Sequence, residues 1–96
     1  MAKIRLLLVD DHAIVRSGLR MLLENEADLV LIGEADNGQQ ALDLADQLKP
    51  DVVIMDITLP DMSGIEVTRR LKHAHPKMAV VALTIHEDQQ YFFEML

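Results

Sequence analysis

The sequence contains no cysteine. That excludes a disulfide framework, a thiolate zinc site and a cysteine nucleophile, and it fits a reducing compartment. Its aromatic residues are Tyr91, Phe92 and Phe93, all near the C-terminal end. The core therefore has to be aliphatic, built from Leu, Val, Ile, Met and Ala. No apolar stretch reaches the roughly 18 residues that a membrane-crossing helix needs. The apolar run Leu6-Leu7-Leu8-Val9 ends at Asp10. It is too short for a secretion signal, so a cytoplasmic location is expected. A basic run is missing too. Nine Lys and Arg against 16 Asp and Glu leave a formal net charge of −7, which disfavours direct nucleic-acid binding.

What is present is 50% apolar and 26% charged over 96 residues, the composition of one small folded domain. Short apolar runs alternate with amphipathic stretches. Residues 4–9 form a near-continuous apolar run that stops at Asp10-Asp11, the pattern of a strand buried on both faces of a parallel sheet. Val15, Leu19, Leu22 and Leu23 fall at i, i+4, i+7 and i+8, one stripe of a helix over 13–24. Residues 29–35 read as a second strand. Asn37 is placed to cap a second helix, whose stripe is Ala41, Leu44, Ala45 and Leu48 and which Pro50 closes. A third strand, 52–55, ends in Asp56. Residues 59–64 have loop chemistry, and a third helix over 65–74 stops before Pro76. A fourth strand, 79–83, ends in Thr84, and residues 88–96 read as a fourth helix. Strands alternating with helices imply a parallel sheet covered on both faces.

That last helix has no Gly, Asn or Pro to finish it after Met95-Leu96, so a chain truncated inside it is expected. Strand 79–83 would then be an exposed apolar edge, and such an edge invites pairing with another chain. Self-association through that edge or nearby helices follows as an expectation.

Polar residues fall where the strands end: Asp10-Asp11 after the first, Asp56 after the third, Thr84 after the fourth. In an open parallel sheet the ligand crevice lies outside the carboxyl ends of the strands, so these four residues would share it. Three neighbouring carboxylates repel one another unless a cation neutralises them. An all-oxygen donor set with room for water suits Mg²⁺. A metal so held also binds phosphate oxygens, and a carboxylate can itself be the nucleophile that forms an aspartyl-phosphate. The Thr84 hydroxyl would donate to a phosphate oxygen.

Val9-Asp10-Asp11-His12, then Asp56-Ile57-Thr58-Leu59-Pro60-Asp61-Met62-Ser63-Gly64, then Ala82-Leu83-Thr84 resemble the receiver domain of bacterial two-component response regulators. Val15-Arg16-Ser17-Gly18-Leu19 after the acidic pair resembles the NarL/FixJ (LuxR-type) subgroup. The resemblance covers essentially residues 1–96. It implies a flavodoxin-like (CheY-like) three-layer α/β sandwich with parallel sheet order 2-1-3-4, lacking the usual fifth strand and last helix. By the same resemblance, Asp56 would be phosphorylated by a sensor histidine kinase. Asp10, Asp11, Asp56 and the backbone carbonyl of Thr58 would hold Mg²⁺, Asp11 directly and Asp10 largely through water. Thr84 would be the switch hydroxyl, and Thr58 and His86 would tune dephosphorylation. DNA would be bound only by a C-terminal domain absent from this chain. The family's lysine after the fifth strand, which contacts the phosphoryl group, has no counterpart here. Metal would then matter more, and phosphorylation would be impaired.

Two rivals remain. An aspartate-nucleophile phosphatase needs a second acid two residues after the nucleophile, and Thr58 stands there. A phosphorylation-independent interaction module would leave the acidic pocket vestigial. Among other residues, His12 reads as part of a helix start or a solvent-facing group, and Asp61 as loop chemistry. His73 and His75 read as cations at a helix end. Arg69, Arg70 and Lys72 read as a solvated helix face, and Tyr91, Phe92, Met95 and Leu96 as packing residues.

Overall fold

A computed structural model describes the backbone of residues 2–85 and 90–95, with side chains as far as residue 83. The elements are β1 (Ile4–Val9), α1 (Ala13–Glu24), β2 (Leu29–Ala35), α2 (Gly38–Leu48), β3 (Val52–Asp56), α3 (Gly64–Ala74), β4 (Ala79–Ile85) and β5 (Gln90–Met95). Among the described residues they form one sheet of order β2-β1-β3-β4-β5. The first four strands are parallel, and their order is the 2-1-3-4 of a flavodoxin-like receiver sandwich.

The register positions the polar residues. Val9 pairs with Met55, and Asp56 pairs with Leu83. Asp10, Asp56 and Thr84 therefore come out at the same edge of the sheet, where the strands end.

Side chains alternate across the strands. Leu7, Val9, Val53, Met55 and Val80 turn to one face and pack with Ala41, Ala45, Val67 and Leu71 of α2 and α3. Fully burying each large aliphatic side chain contributes about 1.5–3 kcal/mol. The small residues Ala41 and Ala45, both wholly buried, let α2 lie close to the sheet. The other face is less covered. α1 buries none of its residues fully. A groove of about 360 Å³ opens between it and the sheet, lined by Leu6, Leu19, Leu23, Val52, Ile54 and Val81.

Caps fix the helix ends nearest the site. At α2, the Asn37 side chain accepts from the Gln40 N–H at 2.8 Å. Asp61, far along the chain, accepts from the Gly38 and Gln39 N–H groups at 2.7 and 2.9 Å. The carboxylate thus meets the positive end of the helix dipole. At the other end of α2, Lys49 takes a left-handed conformation with φ 49°. The Arg5 guanidinium donates to the carbonyls of Leu48 and Lys49 at 2.7 and 2.8 Å. Ser63 caps α3 by accepting from the Glu66 N–H, the S-x-x-E capping pattern.

The C-terminal part differs from the sequence expectation. Residues 90–95 are strand, not helix, and pair antiparallel with β4 from Ile85–Gln90 to Val80–Met95. Tyr91-Phe92-Phe93 has high strand propensity, and a four-residue connection, 86–89, suits an antiparallel neighbour. β5 covers the outer edge of β4, so the expected exposed edge there is corrected: the open edge of the sheet on this side is β5.

Candidate functional site

Asp10 follows β1 directly. Its N–H donates to the Ala35 carbonyl at 3.0 Å, which continues the β1–β2 pairing one residue beyond the strand. The residue is 1% exposed. Its Oδ1 accepts from the His12 N–H at 2.7 Å and lies 2.9 Å from His12 Nδ1. Its Oδ2 is buried with no hydrogen-bond partner among the described residues. An ionised oxygen without a partner is costly to bury. A divalent ion at this edge would satisfy it. The Arg16 guanidinium, from the first turn of α1, donates to the Asp10 backbone carbonyl at 2.5 Å.

Asp56 ends β3 and is nearly buried, with Oδ1 accepting from the Thr58 N–H at 3.0 Å. Asp11 is partly exposed beside it. Asp10, Asp11, His12 and Asp56 each present a ligand atom, and all four atoms lie within 4.8 Å of one another. Burial first, then the charges of Asp10 and Asp11, push the Asp56 carboxyl up to about 6; the Thr58 N–H and His12 oppose them. His12 binds its proton more tightly than an ordinary histidine, chiefly through its hydrogen bond to Asp10 and then through the Asp11 charge. Both shifts are upward, and together they mark a site short of positive charge.

The fold brings together Asp10, Asp11 and Asp56, as the strand-end pattern requires. Thr58 sits exposed in the loop after β3, with its N–H on Asp56. Thr84 lies in β4, one residue past the partner of Asp56, and its side chain is beyond the described ones. His86 lies outside the described residues. Lys72 reaches the Met78 carbonyl at 2.7 Å, at the far end of α3, consistent with no role at this edge. His75 pairs with Asp46 at 2.8 Å.

Two features escape sequence reasoning, the orientation of His12 and the cap made by Asp61. His12 does start α1, but its ring turns onto the acids and forms no cap. The Asp-Asp-His run was the available signal. Asp61 acts as the cap of α2. Gly64 is required by close approach: a Cβ there would lie 2.7 Å from Ile57 Cα and closer still to the Asp56 carbonyl oxygen.

The family model described as "Response regulator receiver domain" matches residues 6–96. The response regulator GacA of Pseudomonas viridiflava is 44% identical over 88 residues, 92% of this chain and 41% of the relative. The chain spans about two fifths of the length of the curated relatives it matches. Among solved structures, a LuxR-family two-component response regulator from Aurantimonas sp. SI85-9A1 is 37% identical with TM-score 0.83, covering 90% of this chain and 61% of that one. The signal receiver domain of the putative response regulator NarL from Mycobacterium tuberculosis is 30% identical with TM-score 0.84, covering 91% and 70%.

Proposed function

The chain belongs to the response regulator receiver domain family, and from that premise we propose that Asp56 takes a phosphoryl group from a sensor histidine kinase. The observation that carries this reading is the gathering of three carboxylates at one sheet edge, one of which, Asp10, has a buried oxygen without a partner among the described residues. Asp10, Asp11, Asp56 and the Thr58 carbonyl would hold Mg²⁺. Bound there, the ion would shield the carboxylates from an anionic phosphoryl donor.

A carboxylate oxygen of Asp56 attacks phosphorus in line, and the P–N bond of the phosphohistidine breaks. The departing imidazole nitrogen keeps the electron pair and takes a proton, leaving an acyl phosphate on Asp56. The Thr58 N–H holds Asp56 Oδ1, so Oδ2 is the freer nucleophile. Thr84 would donate its hydroxyl to a phosphoryl oxygen and shift the balance between two conformations. Thr58 and His86 would tune the hydrolysis that resets the switch. The protein is a signalling phosphoacceptor that assists only its own phosphorylation and dephosphorylation. A separate DNA-binding domain would carry the output, and a cytoplasmic location fits the donor; no described helix is long and apolar enough to cross a membrane.

The β5 edge, unpaired among the described residues, favours as second reading a phosphorylation-independent interaction module. Self-association would run through the β5 edge or the nearby helices, and light scattering tests it.

The decisive experiment is incubation with acetyl phosphate and Mg²⁺ followed by intact mass. Gain of one phosphoryl group, abolished in Asp56→Asn, is the expected result. Its absence, also in a longer chain that carries a lysine-bearing fifth strand, would overturn the reading.

A further inference from the structure

Val15-Arg16-Ser17-Gly18-Leu19, the run that follows the acidic pair, has no part in the proposed phosphoryl transfer. Its arginine lies outside the acid cluster, between α1 and β2. Arg16 Nη1 donates to the backbone carbonyl of Asp10 at 2.5 Å, and Arg16 Nε lies 3.5 Å from Glu34 Oε1. On the other side of Glu34, Arg20 Nη1 donates to Oε2 at 2.8 Å, and Arg20 Nη2 donates to Ser17 Oγ at 3.1 Å. The side chains of Arg16 and Glu34 are 21% and 25% exposed, so both charges are largely withdrawn from water. Such withdrawal costs desolvation energy, and stability alone is a weak reason for it.

Glu34 immediately precedes Ala35 in β2, and the Ala35 carbonyl accepts the Asp10 N–H at 3.0 Å. Two adjacent β2 residues therefore fix both backbone polar groups of Asp10, its N–H directly and its carbonyl through Arg16. That carbonyl stands where the chain leaves the sheet, and Asp11 follows from the same peptide plane. A plain ion pair needs one contact between Arg16 and Glu34. The guanidinium instead holds two partners at once through donors fixed in one plane, which a lysine ammonium on a flexible stem does not reproduce.

We propose that Arg16 is a positioning residue for the phosphoacceptor site: steadied by Glu34, it fixes the peptide plane between Asp10 and Asp11 and so sets the directions in which their carboxylates leave the strand. It touches neither the metal nor the phosphoryl group. This role rests on the reading of the acid cluster as a Mg²⁺ site, and the measurements separate the two.

Mg²⁺ affinity is measured by calorimetry, hydrogen exchange of the metal-free protein reports the His12 amide, which donates to Asp10 Oδ1, and thermal unfolding reports stability. The protein is compared with Arg16→Ala, Arg16→Lys, Asp11→Asn and Leu71→Val. Leu71 is 1% exposed in the last turn of α3, so its variant lowers stability without approaching this edge. Arg16→Ala should weaken Mg²⁺ binding roughly tenfold, the size of loss that follows removal of a group orienting a metal ligand. It should also speed exchange at the His12 amide. Arg16→Lys keeps the charge beside Glu34, so it should recover stability while Mg²⁺ binding stays weak. Leu71→Val should lower the unfolding midpoint and leave Mg²⁺ affinity unchanged. Unchanged Mg²⁺ affinity and His12 exchange in Arg16→Ala, with Mg²⁺ binding weakened by Asp11→Asn, overturns the role of Arg16 and leaves the acid site standing. Full recovery of Mg²⁺ affinity in Arg16→Lys makes the contact a plain ion pair and also overturns it, as does equal weakening of Mg²⁺ binding in Leu71→Val. No effect of Asp11→Asn on Mg²⁺ binding overturns the acid site and the role of Arg16 together.

Discussion

Gly64→Ala probes the close packing that shapes the site. Gly64 opens α3, and its N–H donates to the Ile57 carbonyl at 2.7 Å. A Cβ at this position would lie 2.7 Å from Ile57 Cα, where ordinary contact begins at 3.4 Å. The segment after β3 and the start of α3 must therefore separate by at least 3.4 − 2.7 = 0.7 Å. Both sides are backbone, so no rotamer change relieves the clash. Overpacking of this kind costs about 1–3 kcal/mol. In a domain of this size each kcal/mol lowers Tm by roughly 4–8 °C, so a loss of roughly 4–24 °C is expected. The displaced atoms belong to Asp56 and its neighbour, so Mg²⁺ binding should weaken as well. Thermal unfolding followed by circular dichroism, and Mg²⁺ calorimetry, read the two effects. An unchanged midpoint together with unchanged Mg²⁺ affinity would refute the steric argument.

Three further outcomes are expected. The metal-free protein should lose stability as pH rises from about 4 through about 6, and further above 6.5. Between the ordinary carboxylate value of 3.8 and the raised value of about 6, the folded state binds more protons at Asp56 than the unfolded chain does. His12, also raised, contributes stability that is full below its ordinary value of 6.5 and lost as pH passes the folded value. Both act in the same direction; Asp56→Asn should flatten the lower part of the curve in urea titrations, and saturating Mg²⁺ should reduce the slope. Lys49→Gly should raise stability by about 0.5–1 kcal/mol, because glycine occupies the left-handed conformation without the Cβ cost, less its own chain entropy; an unchanged denaturation midpoint would count against it. Asp61→Asn should speed hydrogen exchange at the Gly38 and Gln39 amides, since both N–H groups end on that carboxylate; unaltered protection there would reject the cap.

The sequence made the first four strands and three helices legible because their signals are local. Leu6-Leu7-Leu8-Val9 stops at two acids, and Ala41, Leu44, Ala45 and Leu48 keep a helical stripe. The same strand-end rule located Asp10, Asp11 and Asp56. Gln90-Tyr91-Phe92-Phe93 was ambiguous: a short apolar run with no punctuation fits helix and strand alike, and only the neighbouring β4 decides between them. The Asp61 cap joins residues 23 positions apart, so no local pattern encodes it. The orientation of His12 depends on where Asp56 arrives, which is a property of the assembled sheet.

The segment from Ile57 to Gly64 is moored three times: by the Gly64–Ile57 hydrogen bond, by Asp61 on the start of α2, and by the Thr58 N–H on Asp56. Its α2 side is thus stiff. A rearrangement that began at Asp56 on the proposed phosphorylation would meet resistance in that direction and would find its outlet across the sheet, toward the strand that bears Thr84.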